Sequence, residues 1–189
     1  MNNPKKPLNR TRPQPLAILV AASFLLTTAL ILHWGERHAA RRTVLFIPDT
    51  ARERLREIEF PLREKRRSST EDQIAHLVSA LLQRSETAID DEKVAPAGTR
   101  LLGAHVSGDT AVLNFSREMQ NPSFWAGSRR EYLALYAIVH TATQLPGVAR
   151  VFFLIEGKEV DTLGGHVELE EPLTRDPALT KTTTPHSGA

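Results

Sequence analysis

The stretch from Ser128 to Ile155, SRREYLALYAIVHTATQLPGVARVFFLI, decides the fold. Its first half places Tyr132, Leu135, Ile138, Val139, Ala142 and Leu145 at helical spacing, which predicts a long helix with one buried stripe. Pro146-Gly147 stops that helix, since proline cannot continue it and glycine accepts the left-handed turn. Arg150 to Ile155 then reads as apolar on both faces, which predicts a central strand.

Working outward, Arg100–Val106 and Thr110–Ser116 alternate like strands, with Ser107-Gly108-Asp109 as their hairpin connection. Leu102, Ala104 and Val106 share one face, as do Ala111, Leu113 and Phe115 on the partner strand. Before the hairpin, Thr70 to Gln73 reads as a capping box opening a second helix, with Ile74, Leu77, Val78, Leu81 and Leu82 as its stripe. Thr43–Ile47 is a strand stopped by Pro48-Asp49. Leu55–Leu62 is an edge strand or strand-like arm, because Pro61 cannot donate to a ladder. Glu156-Gly157-Lys158 turns the chain into a final short strand, Glu159–Leu163. The expected fold is a single two-layer α/β domain, β-α-β-β-α-β-β, with both helices on one face of a mixed sheet.

Ahead of this domain lies LAILVAASFLLTTALILHW, Leu16 to Trp34, uncharged and about 19 residues long, enough to span a ~30 Å hydrocarbon core. Lys5, Lys6, Arg10 and Arg12 precede it, and basic flanks stay on the cytoplasmic side. The reading is a cytoplasmic basic arm (1–15), a transmembrane anchor (16–34) in the cytoplasmic membrane, and everything after it outside. A cleaved signal peptide would show a shorter core and a small-residue exit, whereas Trp34-Gly35-Glu36-Arg37-His38 is bulky and charged. Residues 174–189, TRDPALTKTTTPHSGA, read as a disordered tail with too few large apolar residues to join a core.

The chain has no cysteine, which excludes disulfides, zinc-thiolate sites, thiol nucleophiles and a lipidated cysteine. Its charge does not describe the outer part. With Lys5, Lys6, Arg10 and Arg12 set aside, 20 of the 24 basic residues face 22 acidic ones, a net of about −2. That is no nucleic-acid footprint. The charged run Arg63-Glu64-Lys65-Arg66-Arg67 reads as a solvated link.

Six landmarks occur in an order that resembles the GerMN domain, a module named for a spore-germination and sporulation protein. They are Leu45-Phe46-Ile47-Pro48-Asp49, Pro96 to Leu102, Val112 to Ser116, Tyr136 to Val148, Val151 to Lys158 and Gly164-Gly165-His166-Val167. The resemblance covers residues 43–173. It implies an exported and often lipid-anchored domain with a structural or assembly role and no established chemistry. Two departures stand out. His140-Thr141-Ala142 replaces the usual Asn-Thr-Leu, and Leu16–Trp34 would serve as anchor in place of a lipidated cysteine.

The residues that could carry chemistry are His105, His140, His166, Ser116, Asp109 and Asp161. No G-x-S-x-G elbow precedes Ser116, so it reads as a strand-end cap. The histidines are separated along the chain, without metal-ligand spacing, and no Gly-rich phosphate loop opens either helix. His140 lies off the apolar stripe and reads as a boundary residue, and Gly164-Gly165 as a close approach to the domain's own sheet. No cofactor or metal is expected. Binding is better founded. Val112, Phe152 and Leu154 fall on the sheet face opposite the helices, an apolar patch for a protein partner or for self-assembly unless the charged arm Leu55–Arg67 folds over it. The sequence thus points to a non-catalytic, membrane-anchored envelope protein acting in sporulation, germination or another envelope process. The alternative is an extracytoplasmic hydrolase or ligand-binding domain using His105, His140 or His166.

Overall fold

The computed structural model describes residues 43–61 and 68–180. The arm 1–15, the span Leu16–Trp34 and the link 62–67 lie outside them. Among the described residues, no helix is long and apolar enough to cross a membrane.

β1 (Val44–Asp49) and β2 (Arg54–Glu59) form an antiparallel hairpin, running from Val44 opposite Glu59 to Asp49 opposite Arg54. Asp49 caps the tight turn by accepting from the Arg52 amide, at 3.2 Å. α1 (Thr70–Glu86) follows, then β3 (Leu101–Ser107), β4 (Thr110–Phe115), α2 (Ser128–Ala142), β5 (Arg150–Ile155), β6 (Lys158–Glu159) and β7 (Leu173–Thr174). β3 and β4 are antiparallel, while β4 and β5 are parallel, with α2 supplying the long crossover that a parallel pair needs. The order is β3-β4-β5-β6, and β7 pairs with the other end of β5.

The mixed sheet and the two helices agree with the expected class, but the single sheet does not. β1 and β2 form a two-stranded sheet of their own. They dock on α2 through side chains: Thr141 Oγ1 accepts from the Phe46 amide (3.1 Å), Gln144 Oε1 accepts from the Val44 amide (2.9 Å), and Gln144 Nε2 donates to the Val44 carbonyl (2.7 Å). Thr141, and Gln144 just past the end of α2, meet β1 to one side of the Leu135, Ile138 and Ala142 stripe. The helix is therefore covered on both sides, and from Leu133 to Ala142 only Tyr136 escapes full burial.

Four local expectations are corrected. The capping box of α1 is formed by Ser69 and Asp72, each bonding the other's amide at 3.1 Å, one residue earlier than the pattern placed it. A bulge between Leu101 and Gly103 puts Leu101 against the core and leaves Leu102 46% exposed, breaking the alternation. The last strand is shorter than Glu159–Leu163, because the chain beyond Glu159 is captured by α2, as described below. The tail also begins later than residue 174. Thr174 pairs in β7, Leu179 is buried, and Arg175 donates to Thr143 Oγ1 and to the His140 carbonyl, both at 2.7 Å. Residues 181–189 lie outside the described part.

Candidate docking surface

The register of the five-stranded sheet places its side chains in rows. On the side facing the helices, Ala111, Leu113, Phe115, Val151, Phe153 and Ile155 are all buried, and Phe115 stacks on Phe153. The opposite side carries three rows. Ser107, Thr110, Arg150 and Thr174 make the first, His105, Val112 and Phe152 the second, and Gly103, Asn114, Leu154 and Glu159 the third. Val112, Phe152 and Leu154 are half-buried and stand outside the core cluster, so they form the apolar centre of a face whose rim is polar. A side chain at Gly103 would meet open space. The described part of the arm, 55–61, does not lie over this face, since β2 pairs with β1 in the other sheet.

The strand edges offer little to a partner. On β3, the Glu71 carboxylate accepts from the Val106 amide at 3.3 Å, and the bulge lies further along the strand. Gln144 and Thr141 cover β1. β6 and β7 share the outer edge of β5, and β2 presents Arg54, Arg56, Glu57 and Glu59. Such edges resist strand addition, which leaves the face as the available contact surface.

The candidate catalytic residues do not converge. His105 is exposed on β3, with Nδ1 3.1 Å from Glu71 Oε1. His140 corrects the boundary reading: it is 1% exposed, packs edge-on against Phe46 at 5.2 Å, and neither ring nitrogen has a hydrogen-bond partner. Burial, aided by the nearby Arg175 and opposed by Asp176, pushes its pKa down to about 4, so the imidazole is neutral. His166 is an exposed residue held by its backbone and borders a groove of about 350 Å³ with Glu53, Arg129 and Tyr132. There Arg129 pairs with Glu53, and Tyr132 donates to Asp176 at 2.6 Å. Ser116 braces a strand end by accepting from the Arg100 amide (3.0 Å), and Asp109 pairs with Arg150. The Asp161 carbonyl accepts from the Leu169 amide at 2.8 Å. Among the described residues, no group of three His, Asp or Glu side chains could hold a metal ion.

One polar site escaped the sequence pattern. Glu131, fully buried in the first turn of α2, accepts from Thr162 Oγ1 (3.0 Å), the Gly164 amide (2.8 Å) and the His166 amide (3.0 Å). A Cβ at Gly164 would stand 2.7 Å from both the carboxylate and the Trp125 carbonyl, which is why glycine is needed there. The close approach of Gly164-Gly165 is therefore to Glu131 and Trp125, not to the sheet. The available signal was one acid next to Arg129 and Arg130 in the first turn of the helix, and it reads equally as a dipole partner.

Comparison with known proteins joins these observations. A family model described as Germane, sporulation and spore germination, matches residues 43–161. The chain belongs to the Germane family. None of the curated proteins matches it in sequence. Among solved structures, this Germane chain is similar to the first GerMN domain of the sporulation protein GerM from Bacillus subtilis (20% identity, 71% of this chain and 97% of that one, TM-score 0.55). It also resembles the tandem GerMN domains of GerM (19%, 70% of this chain and 45% of that one, TM-score 0.54) and a candidate lipoprotein from Clostridium perfringens (24%, 64% and 76%, TM-score 0.51). At these identities the likeness establishes the shared fold. The landmark Tyr136–Val148 is the segment whose Thr141 and Gln144 bind β1, and Gly164-Gly165-His166-Val167 is the loop held by Glu131.

Proposed function

We propose that this Germane domain is a non-catalytic docking module that uses the sheet face centred on Val112, Phe152 and Leu154, displayed outside the cytoplasmic membrane from the Leu16–Trp34 anchor. The observation that carries the reading is an apolar centre facing solvent, ringed by polar residues, on a sheet whose edges are blunted. The separate surroundings of His105, His140 and His166 favour a surface over a reaction centre. The occurrence of GerMN domains in tandem in GerM is compatible with contacts between proteins or domains, in sporulation or another envelope process.

The test is recovery of cross-linked partners from native cells with the full chain. Phe152→Asp should abolish recovery while the far-ultraviolet circular dichroism of the purified protein is unchanged. Replacement of His166, which lies off this face, by asparagine should leave recovery intact. Loss of function in the histidine variant with retention in Phe152→Asp would overturn the reading.

A further inference from the structure

Resting on that reading, we propose that the occupant of this face is a second copy of the same chain, packed sheet to sheet about a two-fold axis running along the row His105, Val112, Phe152. The argument starts from the distribution of charge over the three rows. Exposed Arg150 lies in the first row, and exposed Glu159 in the third, one strand over from Leu154. Val112 and Phe152 occupy the middle row, and Leu154 lies beside Phe152 in the third. A closed dimer must bury the same patch on both partners, so the patch has to complement itself.

Two in-plane axes are available for sheets packed about 10 Å apart. An axis along the strands stacks each row on its own copy and brings the basic end of one face over the basic end of the other. An axis across the strands reverses them, laying the first row of one copy over the third row of its partner. That arrangement brings Arg150 toward Glu159 of the partner subunit, and it occurs twice. Asp109 engages Nε and Nη2 of Arg150, at 3.2 and 2.5 Å, which leaves Nη1 outside that pair on a side chain that is 45% exposed. Val112 and Phe152 then meet their own copies on the axis, where a desolvated aromatic contributes most. The open space over Gly103 allows close approach at the rim. The blunted edges stop such a pair from growing into a continuous sheet.

Two experiments on the full-length chain in mild detergent test this geometry. The first uses differently tagged copies and measures co-recovery. Arg150→Glu with itself and Glu159→Arg with itself should each lose at least about tenfold relative to the unsubstituted chain, because like charges now meet. Arg150→Glu mixed with Glu159→Arg should regain most of it, since both contacts are then of opposite sign. The second uses the absence of native cysteine. Val112→Cys should cross-link to itself with a short bismaleimide, whereas Thr110→Cys and Asn114→Cys should cross-link only when mixed. This arm keeps both Arg150 and Asp109, Thr110→Cys removing only a 3.2 Å hydrogen bond to Asp109 Oδ1, and it holds even where Arg150→Glu fails to fold. Self-recovery that the charge swap does not restore, or equal cross-linking of every single-cysteine chain with itself, overturns the two-fold arrangement. If no self-recovery occurs while Phe152→Asp still abolishes capture of another protein, the second-copy assignment falls and the docking reading stands. If neither is seen, both fall.

Discussion

Stability between pH 7.5 and pH 5 should report directly on His140. In the fold its imidazole is buried against Phe46 with a pKa of about 4, against an ordinary value of 6.5. The unfolded chain takes up the proton as the pH falls through 6.5, while the folded chain resists it until about 4. Stability attributable to this residue is therefore full above 6.5 and declines through that window. Each tenfold difference in proton affinity between the two states is worth about 1.4 kcal/mol, so the loss approaches about 3 kcal/mol at pH 4 and is about 2 kcal/mol at pH 5. The perturbation is His140→Phe, which keeps a buried ring and removes the titration. Urea unfolding of the segment 42–189, which contains the whole core cluster, would be measured at both pH values. Any packing change from the larger ring is common to both and cancels in the difference. The carboxyls of Asp49, Asp90 and Asp109, held below 3.8 chiefly by hydrogen bonds from Arg52, Arg130 and Arg150, lose their contributions only at lower pH. The natural chain should therefore lose about 2 kcal/mol more than the variant between pH 7.5 and 5. Equal losses would refute the reasoning, because they would require the imidazole to charge as easily in the fold as in water.

Leu81→Ala and Leu135→Ala remove fully buried side chains from the two helices, and each should cost about 2–5 kcal/mol in the same unfolding measurement. Gly164→Ala forces a Cβ against the Trp125 backbone and the Glu131 carboxylate, so it should cost about 1–3 kcal/mol, whereas Gly165→Ser, with open space around it, should be felt only through its positive φ of 86°. For the topology, cysteines introduced at Ser107 and Ser187 should react with a membrane-impermeant thiol reagent in intact spheroplasts. Labelling only after lysis would reverse the orientation, and a mature fragment beginning near residue 40 would establish cleavage.

Periodicity alone determined the two helices, the β3–β4 hairpin and the strand Arg150–Ile155, because each is specified by which local positions must be apolar. The two-sided character of that strand, with Val151, Phe153 and Ile155 inward and Phe152 and Leu154 outward, was also legible, since side-chain direction in a strand depends only on parity. Pro146-Gly147 bounded α2 for an equally local reason, as backbone conformation is restricted at those two residue types, but the helix ends earlier, at Ala142 with Thr143 as its cap, so Leu145 lies beyond it. Tertiary structure alone decided what covers the second side of α2. Thr141, Gln144 and His140 are polar in any local pattern, and only the docking of β1 makes the first two its hydrogen-bond partners and buries the third against Phe46. Glu131 follows the same logic: a carboxylate in a first turn looks solvent-facing until a loop more than thirty residues later delivers Thr162, Gly164 and His166 to it. Local sequence encodes what a segment must hide. Which distant segment hides it is settled by pairings across the chain, and these leave no periodic trace at either end.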